Sequence, residues 1–319
     1  MSEHDVKHIF ILNPAAGGGK GADILPAVMA ALTGTDTDYE IHRTISIGDA
    51  GNFVRGRLAD SGTGRIRFYA CGGDGTVNEV LNGIMGNDNA EIAVVPTGTG
   101  NDFVRNFASP RDFLDISKQL ASGARRIDAL RYECFTEGVS MGSGYALNMF
   151  NLGFDANVVA RAAELKHGII KGTAAYIAGV MSCLVKLKTM DMRVRVDGAD
   201  YADGVFLLAG AANGGYSGGG FHGLPPAMVD DGLMDLLLVR SVTRRFFISI
   251  VKKYHDGTHI GNKKLEGVLS NLQCHELEFS SEQQFTLAID GETAYADRLV
   301  VSIVPNAVNF VVPEPTPAQ

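Results

Sequence analysis

Residues 66–80 read Ile66-Arg67-Phe68-Tyr69-Ala70-Cys71-Gly72-Gly73-Asp74-Gly75-Thr76-Val77-Asn78-Glu79-Val80. An apolar run stops at a glycine pair and gives way to apolar residues at helical spacing, Val77, Val80, Leu81 and Ile84. That is strand, tight loop, helix. Thr76 and Glu79 stand three apart, the spacing of a capping box, which predicts a helix start at Thr76. The same unit occurs on either side. His8 to Leu12 precedes a loop holding Gly17, Gly18, Gly19 and Gly21, and Ile92 to Val95 precedes Pro96-Thr97-Gly98-Thr99-Gly100-Asn101. Continuous apolar strands alternating with helices predict a parallel sheet covered on both faces. The loops after such strands share one edge, so three glycine loops are expected to converge on one crevice.

Beyond about Asp128 the pattern changes. Met192 to Asp197 alternates and turns at Asp197-Gly198. Short strands are predicted at Val205–Ala211, Met234–Val239, Glu276–Phe279, Phe285–Ile289 and Leu299–Val304, with helices near Gly168–Leu187 and Thr243–His255. This spacing predicts a β-sandwich or curved antiparallel sheet. The expected division is an α/β domain over 1–128 and a larger, mainly-β domain over 129–305, with the tail from about 306 to 319 packing back on the first.

Composition narrows the function. The chain has 319 residues, 45% apolar and 20% charged, with a net charge of -8. A folded two-domain protein is expected, and a general nucleic-acid binder is not. Two basic groups remain, Lys186, Lys188, Arg193 and Arg195, and Arg244, Arg245, Lys252 and Lys253. They read either as solvated charge or as faces for anionic lipid. Four scattered cysteines, none in a C-x-x-C pair, suit a reducing cytosol and suggest no zinc or redox site. Met1 to Lys7 shows no signal-peptide pattern. The longest apolar stretch, Gly172 to Val185, is too short to span a bilayer.

The loops carry the chemistry. Gly72, Gly73, Gly75 and Thr76 let backbone N–H groups approach a phosphate at the positive end of a helix. A carboxylate there would repel phosphate, so Asp74 has another use. It either takes a proton from an attacking hydroxyl or helps hold Mg²⁺. A plain turn is the bland reading. Thr97, Gly98, Thr99, Gly100 and Asn101 suit a ribose, a purine edge or a phosphate, while Asn101 or Asp102 could simply cap the next helix. Arg105 could reach a phosphate, and so could Lys20. The first loop loosely meets G-x-G-x-x-A, but Gly21 after Lys20 breaks the P-loop pattern. Asp290-Gly291-Glu292 reads first as a hairpin turn and second as a pair of carboxylates for a cleft. Asp230-Asp231-Gly232 reads as a turn or a cation site.

Taken in order, Asn13-Pro14-Ala15-Ala16-Gly17-Gly18-Gly19-Lys20, Gly72 to Val80 and Pro96 to Arg105 resemble the diacylglycerol kinase catalytic domain, and the whole chain resembles the soluble bacterial lipid kinases of that family. NAD kinases and phosphofructokinases share a similar glycine-aspartate loop. The resemblance implies an NAD kinase- or phosphofructokinase-like first domain and a nucleotide site between the domains. ATP would lie over Asn13, Gly17, Lys20 and the second and third loops. It implies catalytic roles for Asp74, Glu292 and Asp128, and a structural Mg²⁺ on Asp231 with the carbonyls of Met228 and Leu233. Asn148, Asn151 and Gly153 would line the cleft, and Lys171 would stand near the phosphates. The implied reaction moves the γ-phosphate of ATP to the hydroxyl of diacylglycerol or a related lipid, as part of phospholipid metabolism. A NAD or sugar kinase, or a nucleotide-gated lipid-binding protein, is the alternative. The implied setting is cytoplasmic, visiting the inner face of the membrane, with no transmembrane segment, no nucleic-acid partner and a capacity to dimerise.

Overall fold

The computed structural model describes residues 6–60, 62, 64–166, 182–183 and 187–314. The helix expected near Gly168–Leu187, Lys171 and Lys186 lie outside or largely outside them. The chain divides into two compact units, Met1–Ile127 with Asn306–Gln319, and Asp128–Pro305.

The first unit is built on β1 (Val6–Leu12), β2 (Tyr39–Arg43), β3 (Arg65–Gly72) and β4 (Ala90–Pro96). They lie in the order β4-β3-β1-β2, all parallel, with Phe10 opposite Tyr69 and Phe68 opposite Ile92. β4 is buried along its whole length, and β3 is buried after its first residue. That explains their unbroken apolar runs, since a strand covered on both faces has no solvent side to make polar. The edge strand β2 is half-buried, and its mixed sequence gave no strand signal. Helices Leu25–Leu32, Asp49–Asp60 and Asp74–Ile84 belong to this unit. Phe10, Leu12, Val28, Tyr69, Val95 and Ile116 form one core cluster.

Two buried polar groups at the heart of this unit are paired. The Arg67 Nε donates to Glu91 at 2.7 Å, and its Nη1 donates to the Gln119 carbonyl at 2.6 Å. His8 Nδ1 meets the Tyr69 hydroxyl at 2.8 Å. Burial, with help from the nearby Arg67 charge, holds the His8 imidazole down to about 4, so it stays neutral.

The second unit is antiparallel. It holds β5 (Ala124–Thr136, entered from the first unit), β6 (Val139–Ala146), β7 (Met149–Gly153), β8 (Met190–Val196), β9 (Ala199–Ala212), β10 (Met234–Arg240), β11 (Leu269–Cys274), β12 (Glu276–Ile289) and β13 (Glu292–Val311). β11-β10-β9-β7-β12-β13 run side by side, and β8 pairs with both β9 and β12. Leu130, Phe150, Phe206, Phe279, Leu287 and Leu299 anchor one core cluster. The strands expected at Glu276–Phe279 and Phe285–Ile289 are one strand. The polar residues between them sit at a register shift against β13, which continues pairing on either side. The strand expected at Leu299–Val304 is likewise the middle of the 20-residue β13. The last residues of β13 belong to the first unit, where Asn309 and Phe310 pair in parallel with Glu91 and Ile92, and Phe310 stacks on Phe107. No helix among the described residues is long and apolar enough to cross a membrane.

Candidate active site

The first unit brings the three glycine loops into direct contact. Thr97 and Gly98 both donate their N–H to the Gly72 carbonyl, at 3.0 and 3.1 Å. A Cβ on Gly98 would lie 2.4 Å from Gly73 Cα, and one on Gly17 would lie 2.5 Å from the Thr97 carbonyl oxygen. Glycine is required at both places because backbone meets backbone there. Gly17 adds a second reason, a φ of 60°. From the first loop, Asn13 Nδ2 donates to Thr76 Oγ1 at 2.9 Å, while its Oδ1 accepts the Ala15 N–H at 3.0 Å. Lys20 stands exposed at the end of this loop, and Thr99 is exposed in the third. The Thr97 hydroxyl oxygen is buried with no hydrogen-bond partner among the described residues. Such an atom is costly to leave unmet, and it marks a place where a bound polar group would be welcome.

The predicted capping box does not form. The helix begins at Asp74, with Gly73 as its N-cap residue and no side-chain cap. Thr76 is committed to Asn13, and the Glu79 carboxylate accepts the N–H groups of Gly48 and Ala50 at 2.8 and 3.1 Å. Both side chains link chain segments far apart in sequence instead of closing their own helix. Gly75 sits in the first turn of that helix, whose leading N–H groups have no acceptor within the helix.

Asp74 is held from outside its own loop. Its Oδ2 accepts the Asn101 N–H at 3.0 Å and its Oδ1 accepts the Asp102 N–H at 3.2 Å. Asn101 can present its N–H this way because it adopts a φ of 54°, and its amide donates to the Gly98 carbonyl at 2.9 Å. Gly100 completes the fit: a Cβ there would lie 2.6 Å from Asp74 Oδ2. The carboxylate that the glycine loop displays is therefore oriented by the third loop. Arg105 pairs with Asp102 at 3.5 Å. Asp102 is the N-cap residue of a short helix but makes no side-chain cap.

In the second unit the Asp290-Gly291 pair forms the β12–β13 turn, with φ of 46° and 91°. Positive values at both positions are what a two-residue type I′ turn demands. The Asp290 carboxylate is engaged three times, accepting the N–H groups of Leu147, Asn148 and Met149 at 2.9 to 3.1 Å. Of the two carboxylates at this tip, only Glu292 is exposed. Asp128 is fully buried, and its Oδ2 accepts the Gly232 N–H at 2.7 Å. Asn148 donates to the Tyr216 carbonyl at 2.7 Å. Asn151 is buried on β7, and Gly153 has a φ of 78° with the Leu207 carbonyl 2.5 Å from where a Cβ would be. Asp231 Oδ1 accepts the Leu233 N–H at 3.0 Å and its Oδ2 accepts Gln273 Nε2 at 3.2 Å. Met228 is exposed. No cluster of three or more His, Cys, Asp or Glu side chains fit to hold a metal occurs among the described residues. The structural duties of Asp290 and Glu79 escaped the sequence reading. The Asp-Gly turn signal located Asp290 without showing what it binds.

The diacylglycerol kinase catalytic domain matches residues 7–132, and the YegS C-terminal NAD kinase beta sandwich-like domain matches residues 148–312. A Chromohalobacter salexigens protein named "Probable lipid kinase YegS-like" is 29% identical, over 98% of this chain and 95% of its own. One of the same name from Alcanivorax borkumensis is 27% identical over 94% and 96%. Among solved structures, a diacylglycerol kinase from Bacillus anthracis shares the fold with a TM-score of 0.67 at 19% identity, covering 98% of both chains. Yeast NADH kinase complexed with NADH follows with a TM-score of 0.54 at 9% identity, over 98% of this chain and 84% of that one. With its two successive matches together covering almost its full length, the chain belongs to the diacylglycerol kinase catalytic-domain family, in the form that joins this domain to a YegS-type C-terminal β-sandwich domain.

Proposed function

We propose that this protein is an ATP-dependent lipid kinase that transfers the γ-phosphate of ATP to the hydroxyl of diacylglycerol or a related lipid. One observation carries the nucleotide half of this reading. Gly73, Gly98 and Gly17 pack against the backbone of neighbouring loops beside the leading end of the Asp74–Ile84 helix, whose first N–H groups have no acceptor within the helix and could receive phosphate oxygens. The names of the relatives support the lipid half.

In this reading Asn13, Gly17, Lys20, Gly72, Gly73, Gly75, Thr76, Thr97 to Asn101 and Arg105 make up the nucleotide site. Asp74 accepts the proton of the attacking hydroxyl, with Glu292 as the alternative base and Asp128 in support. Two N–H bonds from the third loop hold the Asp74 carboxylate in one orientation, as a positioned base requires. Fixing it in place before substrate arrives suits a reaction whose catalysis is mostly positioning and electrostatics. Mg²⁺ bound with the nucleotide would offset charge on the transferred group. The Asp231 carboxylate and the carbonyls of Met228 and Leu233 form an oxygen-only donor set, and each Asp231 oxygen keeps a lone pair beyond its one hydrogen bond. They suit a structural Mg²⁺ that retains several waters. The first domain, 1–128 with the tail from about 306, would bind nucleotide, and 129–305 would bind lipid. The protein would meet its acceptor at the inner surface of the membrane.

The deciding experiment is transfer of label from γ-labelled ATP, with Mg²⁺, to lipids in mixed micelles, with NAD and fructose 6-phosphate as control acceptors. Label in an organic-soluble product is expected. Label confined to NAD or the sugar would overturn the lipid assignment, and label in no acceptor would favour a binding protein.

A further inference from the structure

The helix Arg244–His255 divides cleanly along its length. Phe247, Ile250, Val251 and Tyr254 turn inward, buried or half-buried. They line an apolar cavity together with Leu208, Val239 and Leu269. Arg244, Arg245, Ile248, Ser249, Lys252 and Lys253 are exposed on the other half. Ile248 is 55% exposed, an isoleucine set among four cationic side chains. This is the pattern of a helix lying on an interface, apolar inward against its own protein and basic outward.

The charge is local. Residues 241–265 carry six Lys and Arg against one Asp, in a chain of net charge -8. The single acid, Asp256, pairs with Lys252 at 2.5 Å. Arg245 and Lys253 enter no ion pair among the described residues. Two arginines in the first turn also oppose the helix macrodipole, so local helix stability gives no reason for them. Thr243 supplies the cap instead, accepting the Phe246 N–H at 3.3 Å.

We propose that the outward face of Arg244–His255 docks this protein on anionic bilayer surface. Charge complementarity selects the occupant: four cations and one exposed aliphatic side chain on a short helix fit phospholipid headgroups and the acyl boundary beneath them. The inference rests on the lipid-acceptor reading for its purpose, because such docking would set the apolar cavity under the helix beside the bilayer. The docking itself requires no turnover.

Co-sedimentation with sucrose-loaded vesicles of phosphatidylcholine, with and without phosphatidylglycerol and in the absence of ATP, tests the docking. Binding to the anionic vesicles alone is expected, falling as salt is raised. The double variant Arg245→Gln/Lys253→Gln should bind about thirtyfold more weakly, at roughly fivefold for each basic side chain near an anionic surface. Its turnover in neutral detergent micelles should equal that of the parent. Equal binding to both vesicle types, no binding, unchanged binding by the variant, or preference for single-stranded nucleic acid would overturn the proposal. So would loss of micellar turnover in the variant. A parent that binds anionic vesicles but phosphorylates no lipid would support docking and sink the kinase reading instead.

Discussion

The Asn101 N–H donates to the Asp74 carboxylate at 3.0 Å, one of the bonds that tie the third glycine loop to the second. It needs a left-handed Asn101 and a side-chain-free Gly100, both of which the structure supplies. The residue proposed as base is thus also a clamp between loops, and its two roles can be separated. Asp74→Asn keeps an oxygen able to accept an N–H but cannot take a proton. Transfer from ATP should fall by roughly 10²–10⁴-fold, the usual contribution of a general base, with a smaller stability loss than a full truncation because one of the two N–H groups keeps its acceptor. Asp74→Ala should lose as much activity and more stability, about 1–3 kcal/mol, because two N–H groups lose their acceptor. A near-normal rate in either variant would remove Asp74 from the mechanism.

Gly98→Ala tests the loop contact without touching a titratable group. The added methyl would lie 2.4 Å from Gly73 Cα, a distance only backbone movement can relieve. Nucleotide affinity, read by titration calorimetry with a non-hydrolysable ATP analogue, should drop by at least tenfold. Gly18→Ala, at a position with nothing within 4 Å but a φ of 72°, should cost about 1 kcal/mol of stability with much less effect on affinity. Equal affinity losses in the two variants would contradict the contact argument.

Asp290 should matter for folding more than for chemistry. Its carboxylate serves three consecutive N–H groups ahead of and within β7. Asp290→Ala should destabilise the second unit by about 1–3 kcal/mol, as expected when three part-buried N–H groups lose their shared acceptor. Glu292→Ala, at an exposed site, should leave stability unchanged in urea unfolding. If the two variants unfold alike, the anchoring role of Asp290 is wrong.

His8 gives the fold a pH dependence of definite sign. Its imidazole is held down to about 4 by burial and by Arg67, against an ordinary value near 6.5. The unfolded chain therefore takes up a proton before the folded one does. The contribution is complete above pH 6.5 and is lost as pH falls toward 4, to a total of about 3 kcal/mol. Asp155 runs the other way: burial raises its carboxyl to about 6, so its penalty is relieved in acid. The comparison must therefore be differential. Between pH 6.5 and 4, His8→Gln should lose less stability than the parent. Parallel pH profiles would refute the His8 assignment.

What could be read from residues in order was the local grammar. An apolar strand, a glycine loop and an amphipathic helix are set by neighbours a few positions apart, so the run from Ile66 to Ile84 announced its own conformation. The same holds for the turns at Asp197-Gly198 and Asp290-Gly291, whose positive φ values follow from residue type. Where the rule was local but the partner was not, the reading failed. Thr76 and Glu79 have capping-box spacing, yet tertiary contacts with Asn13, Gly48 and Ala50 claim their side chains. β12 was read as two strands because its middle is polar, though pairing with β13 carries the strand through.

Residue order alone was enough for the strand–loop–helix units, the change to alternating strands after Asp128 and the family. What the carboxylates hold was settled by the folded chain. Asp74 is fastened by N–H groups 27 and 28 residues away, and Asp290 by N–H groups 141 to 143 residues away. The division arises because a hydrogen bond is specified by the position of two groups in space. Sequence spacing fixes that position within a turn or a helix, and beyond them the packing of the whole core sets it.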